Sequence, residues 1–274
     1  MKRIAVVLMC LTIVACDTET VSQDSAAPGG STARPAVKGD KPGIFRPGEA
    51  LFALANSHNP EFADASFSFG SSGDIPLSGD WDGDGKDSVG LFRTTDATFH
   101  IRQSTDPEGS ELNNFPFGAP GDLPLAGDWD GDGTDTMGVF RPSTRTFYLT
   151  NAPVPGEPEI TFTFGEADDI PVAGDWDGDG KSSVGIFRAA DSTFHLRNAN
   201  AEGNADVVIA FGMEGDRPLT GDWNGDGTDT IGVYRPAGSS FHLRNENSPG
   251  EAQVEFTFGI PGDVGFMGDW TGKS

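Results

Sequence analysis

Aspartate-rich loops recur along the chain at a nearly constant spacing. The heptapeptide GDWDGDG occupies residues 79–85 and returns at 127–133, at 174–180 and, with one Asn, at 221–227. In each copy, side-chain oxygens recur at loop positions 1, 3 and 5, a glycine follows at position 6, and position 7 offers a carbonyl. Alternating oxygen donors with glycine at position 6 are typical of calcium loops, and the lack of nearby Cys or His disfavours softer metals. The predicted ligands are Asp80, Asp82, Asp84 and Lys86; Asp128, Asp130, Asp132 and Thr134; Asp175, Asp177, Asp179 and Lys181; and Asp222, Asn224, Asp226 and Thr228.

These loops have two other interpretations. An EF-hand is excluded because position 12 of the first loop is Leu91 and not a bidentate Glu, and because strands flank the loop. An array of Asx turns, in which each Asp caps backbone amides without metal, remains the alternative. Carboxylates crowded into eight residues repel one another unless a cation offsets them, so four near-identical copies favour the metal.

The spacing of the loops predicts a repeat architecture. Successive copies lie 48, 47 and 47 residues apart, and such periods indicate units that must stack to bury their apolar faces. Each unit contains four short alternating or aromatic-rich runs separated by turn residues, without helical periodicity. We therefore predict an all-β fold, a five-bladed β-propeller of 47-residue, four-stranded repeats over residues 43–274.

A fifth, altered copy of the motif ends the chain. In GDWTGKS (268–274) Asp269 remains, but Thr271 and Lys273 stand where the other copies carry acidic or amide side chains. The sequence starts at a second strand and ends at a first one, so we expect the C-terminal strand to complete the N-terminal blade. About four structural Ca²⁺ ions are therefore expected rather than five. The tryptophan persists in all five copies, which indicates a role in packing between blades.

The repeats resemble the FG-GAP or VCBS class, similar to the propeller of integrin alpha subunits. The resemblance rests on Phe-Gly pairs at 69–70, 117–118, 164–165, 211–212 and 258–259, each followed by the Asp-rich segment. It implies calcium held between the first two strands of a blade by a D-x-D-x-D-G-x-x-D pattern. This chain departs from that pattern, since Asp appears at position 8 and not 9. We expect these residues to bind the ion through a tighter turn or through water (Asp87, Asp135 and Asp229). Ser182 replaces them in the third loop, which is therefore expected to be the weakest.

The N-terminal segment predicts export and lipidation. Residues 1–15 join a basic start to a short apolar run, and LTIVAC (11–16) resembles a bacterial lipobox, which would make Cys16 the lipidated residue. An ordinary signal peptide is the alternative. Residues 16–42 are predicted to form the lipidated cysteine and a flexible tether. We expect attachment to a bacterial membrane through the lipid alone, facing the periplasm or the cell surface. The net charge of −24 disfavours nucleic acid as a partner.

Two further repeated patterns have structural and functional interpretations. An Arg ends each second strand and an Asp opens each first strand, which predicts a structural ion pair in every blade; a ligand-binding ring is the alternative. Third strands carry Phe-His-x-Arg in three repeats, and the His and Arg side chains are candidates to line sugar-binding clefts between blades or simply to cover the blade edge. These residues are His100, Arg102, His195, Arg197, His242 and Arg244.

No motif indicates catalysis, and equivalent repeats argue against the one distinct site that an enzyme needs. We therefore expect a monomeric ring that acts as a protein-binding or adhesion module for an unidentified partner. A multivalent carbohydrate-binding lectin is the alternative, and a passive structural lipoprotein is a third possibility.

Overall fold

The computed structural model describes residues 39–106, 112–152 and 156–272. In these residues twenty strands form five four-stranded antiparallel sheets. The predicted signal peptide (1–15), Cys16 and residues 17–38 of the predicted tether lie outside the described residues. No helix that could cross a membrane occurs in the described ranges.

The strands group into five blades, each ordered from the central channel outward. Blade I comprises β20 (Val264–Gly268), β1 (Lys41–Arg46), β2 (Leu51–Leu54) and β3 (Ala65–Ser68). Blade II comprises β4 (Ile75–Gly79), β5 (Ser88–Arg93), β6 (Thr98–Arg102) and β7 (Leu112–Pro116). Blade III comprises β8 (Leu123–Gly127), β9 (Thr136–Arg141), β10 (Thr146–Leu149) and β11 (Ile160–Thr163). Blade IV comprises β12 (Ile170–Gly174), β13 (Ser183–Arg188), β14 (Thr193–Leu196) and β15 (Val207–Ala210). Blade V comprises β16 (Arg217–Gly221), β17 (Thr230–Arg235), β18 (Ser240–Leu243) and β19 (Val254–Thr257).

The predicted five-bladed propeller is therefore confirmed, together with its closure. β20 pairs with β1 in antiparallel register from Lys41 opposite Gly268 to Phe45 opposite Val264, so the last strand completes the first blade. The first strand begins at Lys41, two residues before the predicted start of the domain. Closure of this kind leaves no innermost strand unpaired and hides the edges that an open sheet would expose.

The hydrophobic cores lie between neighbouring blades. The second strand of each blade is buried along nearly its whole length, because it is covered on both faces, whereas third strands alternate. One core joins Phe92 and Phe99 of blade II to Val139 of blade III, and equivalent cores join every neighbouring pair, including blades V and I. Each blade therefore depends on the next for its stability.

The repeated tryptophans pack in these cores, as predicted. All five are between 2% and 7% exposed, including Trp270 of the altered copy. The first glycine of the motif is required by close approach, since a Cβ added to Gly79 would lie 3.0 Å from both the Trp81 ring and Asp135. The Gly-Asp-Trp element therefore serves packing in all five blades.

One face of the ring carries the repeated ion pairs. Arg93 binds Asp74 through two hydrogen bonds of 3.0 and 2.8 Å, and the same bidentate pair occurs in all five blades. The second oxygen of Asp74 also accepts the backbone amide of Ser71, at 2.9 Å. These pairs confirm the structural interpretation, because the carboxylate is buried and fully engaged within its own blade. We call this the ion-pair face, and the opposite side the Asp-loop face.

Candidate metal loops and central channel

Four Asp-rich loops connect the first and second strands of blades II, III, IV and V, all on the Asp-loop face. We number them in chain order, starting from residues 80–87. In each of the first three loops, three carboxylates offer oxygens that lie within 4.8 Å of one another: Asp80, Asp82 and Asp84; Asp128, Asp130 and Asp132; and Asp175, Asp177 and Asp179. The fourth loop carries Asn224 between Asp222 and Asp226. Three Asp triads could thus hold metal ions.

Backbone amides hold the position-1 carboxylate of every loop in the same way. Asp128 accepts Gly131 N at 2.7 Å on one oxygen and Gly133 N at 2.8 Å on the other. In the fourth loop Asp222 accepts the amides of Gly225 and Gly227 at the same two distances. The fourth loop therefore has the fold of the others, and its Asn amide carbonyl can replace a carboxylate oxygen as a hard-cation ligand.

The residues at position 7 join each loop to its neighbour. The Thr134 amide donates to Asp132 at 2.8 Å, and the corresponding amides of Lys86, Lys181 and Thr228 do the same in their loops. A Cβ added to Gly83 would lie 3.1 Å from Oγ1 of Thr134, so neighbouring loops are packed side by side. A change that orders one loop is therefore expected to restrain the neighbouring loop as well.

The donor set fits a hard cation. It consists of oxygens alone, on side chains that are largely exposed to solvent. Burial of the position-1 carboxylate raises the pKa of Asp80, backbone hydrogen bonds oppose that rise, and the charge of Asp84 adds to it. A divalent cation would offset this repulsion, while amide bonds to a carboxylate oxygen leave a further lone pair for the ion.

The position-8 aspartates are not members of the Asp triads, and their binding to an ion through a tighter turn or through water stays a prediction. None of the three groupings in the described residues includes Asp87, Asp135 or Asp229. Instead, Oδ2 of Asp135 accepts the backbone amide of Asp80 in the preceding blade, at 2.8 Å. Position 8 immediately precedes the second strand and lines the channel, which places its side chain beside the loop of the neighbouring blade.

These contacts form a closed ring of reciprocal pairs. In each pair a position-1 amide donates to a position-8 side chain, while the position-8 amide donates back to the position-1 carbonyl, as between Asp80 and Asp135. We call this set the inter-blade lock. Its five pairs are Asp80–Asp135, Asp128–Ser182, Asp175–Asp229, Asp222–Asp40 and Asp269–Asp87.

Ser182 belongs to this lock, and the weakness of the third loop stays a prediction. Its hydroxyl accepts the amide of Asp128 at 3.1 Å, just as carboxylates accept the equivalent amides elsewhere. The substitution therefore acts at the junction of the second and third loops and takes no ligand from the third triad.

The lock carboxylates line the acidic end of the central channel, around a cavity of about 440 Å³. Burial raises the pKa of Asp135 to about 8 and that of Asp229 to about 7, with added contributions from neighbouring carboxylates such as Asp87. Burial, and then the charges of Asp87 and Asp229, raises the pKa of Asp40 well above its usual range. The four carboxylates thus act on one another across a common space.

The seam loop of blade I (269–272) differs from the four intact loops. One oxygen of Asp269 accepts the amides of Thr271 and Gly272, at 3.2 and 3.0 Å, and no Asp triad of the described residues includes it. Lys41, which is fully buried, occupies the position held by Ser or Thr in the other blades, and its ammonium donates to the Gly39 carbonyl. Burial lowers the pKa of Lys41, whereas the charges of Asp269, Asp40 and Asp222 oppose that change.

The third-strand residues are divided between two environments. Arg102, Arg197 and Arg244 are buried and donate to carbonyls of their own blades, as Arg197 does to Asn204 at 2.5 Å. Arg102 also stacks over Phe67 of the neighbouring blade, 4.2 Å from the ring centroid. His195 and His242, in contrast, line clefts between blades of about 240 and 370 Å³. His100 bonds to Asn114 at 2.7 Å.

Sequence reasoning missed Asp40, Lys41 and the part played by Ser182. Aligning Gly43 with Gly90 places Asp40 opposite Asp87, so the repeat contained the signal for the fifth lock residue. The repeat did not reveal which residue Asp40 contacts, because each lock contact joins two different blades. No protein-family model and no curated protein matches the chain in comparisons with known proteins.

Proposed function

We propose that the chain is an exported lipoprotein whose calcium-stabilised propeller acts as a protein-binding or adhesion module. The observation that carries this proposal is a pair of exposed apolar side chains on the ion-pair face. Met213 is 52% and Ile260 50% exposed, at equivalent positions of the loops that enter blades V and I. Exposed apolar side chains on one face of a protein are typical anchors of protein-interaction sites.

Calcium is the proposed resident ion of the four intact loops. The three Asp triads, with oxygen donors alone, support this choice, and the Asn224 loop shares their backbone. Bound ions would neutralise the crowded carboxylates and hold the loops in register around the ring. The same Asp pattern supports grouping the repeats with the FG-GAP or VCBS class.

The proposed attachment through Cys16 would orient the module. The described chain starts and ends on the Asp-loop face, since Asp40 contacts Asp222 and Asp269 contacts Asp87. A tether from this side would turn the Asp-loop face toward the membrane and leave the ion-pair face accessible. Metabolic labelling with a radioactive fatty acid, with Cys16→Ser as control, tests the attachment; label retained by the variant would contradict it.

A binding experiment tests the module. The immobilised domain is incubated with extracellular and envelope proteins, in parallel with Met213→Ser/Ile260→Ser and with Phe62→Ser. Phe62 is 77% exposed and lies in the loop after β2, on the Asp-loop face, so it is a matched control. A partner retained by the domain and the control but lost by the double variant supports the proposal. Retention by all three proteins would contradict it.

A lectin is the second candidate, favoured by the clefts between blades. His195 and His242 line two such clefts, and burial followed by the charge of Arg188 lowers the pKa of His195, which favours a neutral ring able to accept or donate a hydrogen bond to a sugar hydroxyl. Binding to a glycan array that is lost in His195→Ala/His242→Ala would establish this function. If the domain binds none of the glycans on the array, the lectin function is contradicted.

A further inference from the structure

The central channel contains a second cavity, which is apolar and lies beside the acidic end. Its volume is about 420 Å³, and the first strands of all five blades line it. Three of these strands open with an aliphatic residue followed by Pro, at Ile75, Leu123 and Ile170, and β20 opens with Val264. A volume of this size lies within the range of small-molecule sites.

One lining position breaks the five-fold pattern. Arg217 stands where the other blades carry Ile75, Leu123, Ile170 and Val264. It is exposed, and its guanidinium forms no hydrogen bond or ion pair with any residue in the described ranges. The five other arginines nearby each neutralise a buried Asp of their own blade. Arg217 therefore adds one uncompensated positive charge at this end of the channel.

The two ends of the channel thus have opposite electrostatic character. Strand β16 runs from Arg217 to Gly221, where the lock begins, so the apolar segment is on the order of 10 Å long. Beyond it lie the carboxylates of Asp40, Asp87, Asp135 and Asp229. An anion at that end would be repelled, whereas an anion at Arg217 would be attracted.

We propose that the apolar cavity binds a single-chain anionic amphiphile, with its hydrocarbon chain in the channel and its acid group at Arg217. The aliphatic lining removes the chain from water, and the guanidinium supplies two parallel donors for a carboxylate. Because this site uses the channel and not the surface around Met213 and Ile260, it is independent of the proposed protein-binding role.

Titration calorimetry with octanoate, octanol and octyltrimethylammonium tests the charge requirement. The exported domain should bind octanoate at least about tenfold more tightly than octanol, since a hydrogen bond to a charged group supplies that factor. The cationic analogue should bind more weakly than both. Equal binding of octanoate and octanol, preferential binding of the cation, or no binding of octanoate would each overturn the proposal.

Variants locate the site. Arg217→Ile, which copies the residue of blades II and IV, should weaken octanoate binding about tenfold or more and leave octanol binding unchanged. Arg145→Asn removes another cation, which pairs with Glu166 at 3.3 Å outside the cavity, and should bind octanoate like the parent. An Arg217→Ile variant that binds octanoate normally would contradict the proposal.

A relocated charge provides an independent test. Arg217→Ile combined with Ile170→Arg restores one cation at an equivalent position of the neighbouring blade, so octanoate binding should recover. Thermal melting verifies that each variant is folded. If the double variant does not fold, the octanoate affinity of the single Arg217→Ile variant decides whether the site is at Arg217. Failure of a folded double variant to recover binding would contradict a site defined by channel position and charge.

Discussion

The four intact loops and the seam loop share a Gly-Asp-Trp start but differ in how their acidic charges are offset. The intact loops of blades II to IV gather three carboxylates whose oxygens lie within 4.8 Å. The seam loop retains only Asp269, and the buried ammonium of Lys41 lies in the same blade. A side-chain cation thus accompanies the acidic residues at the seam, where the intact Asp-rich loop is missing.

The inter-blade lock, by contrast, is common to both kinds of loop. The Asp269 amide donates to Asp87 at 2.8 Å, and the Asp80 amide donates to Asp135 at the same distance. Ring closure at this face therefore depends on the lock in all five blades and does not require the metal triad. The GDWDGDG motif thus combines two separable roles, the contact between neighbouring blades and the grouping of three acidic side chains.

Removal of calcium should have the largest effect on stability. At a Ca²⁺ concentration tenfold above the dissociation constant, each of four sites contributes about 1.4 kcal/mol, so the total is about 6 kcal/mol. Thermal melting with calcium and with a chelator measures the change, and a midpoint that does not move would contradict the metal assignment. Asp175→Ala should lower the measured stoichiometry by one ion, whereas Asp269→Ala should leave it unchanged.

Replacing the buried ammonium should have the next largest effect. Lys41→Ser recreates the residue type of blades II and IV, yet it removes the charged hydrogen bond to Gly39 and the cation near Asp269. We expect a loss of about 2 kcal/mol in the free energy of unfolding. Denaturant unfolding measures it, with Thr230→Ser as the matched control. A fully stable Lys41→Ser protein would show that the seam needs no cation.

Changes in the lock should be smaller and depend on the side chain. Asp135→Ala leaves the amide of Asp80 without its acceptor, at a cost of about 1–2 kcal/mol. Asp135→Ser should cost less, because Ser182 accepts the equivalent amide of Asp128 in the native ring. Equal destabilisation by the two substitutions would indicate that the negative charge, and not the hydrogen bond, is what the lock requires.

The pH dependence of the lock should be the smallest effect, because the side chain of Asp135 is only half-buried and solvent screens part of its charge. Burial raises the pKa of Asp135 to about 8, above the value of about 4 for an unfolded chain. Between these values the folded state holds more protons than the unfolded state, so stability falls as pH rises from about 4 to about 8. Chelated protein melted across this range tests the sign, and Asp135→Ser should flatten the profile.

Much of the fold could be predicted because the sequence patterns that specify the strands and turns lie within each repeat. Four short strands were predicted in each repeat, and in blade II the second and third lie at Ser88–Arg93 and Thr98–Arg102. The ion pair of Arg93 with Asp74 was also predictable, since antiparallel connectivity brings strand ends together within one blade. The third-strand arginines were harder to predict, because burial against a neighbouring blade decides their partners.

The sequence by itself determined the number of blades, the closure through β20, the packing role of the tryptophans and the position of the Asp triads. These features follow from a period of about 47 residues and from alternation within short strands. Only the tertiary structure decided that Asp135 accepts the amide of Asp80, 55 residues away, and that Asp40 accepts the amide of Asp222, 182 residues away. It alone showed that Arg217 lines a channel shared by five blades. A repeat specifies what each unit contains, whereas contacts between units depend on how the ring brings distant residues together.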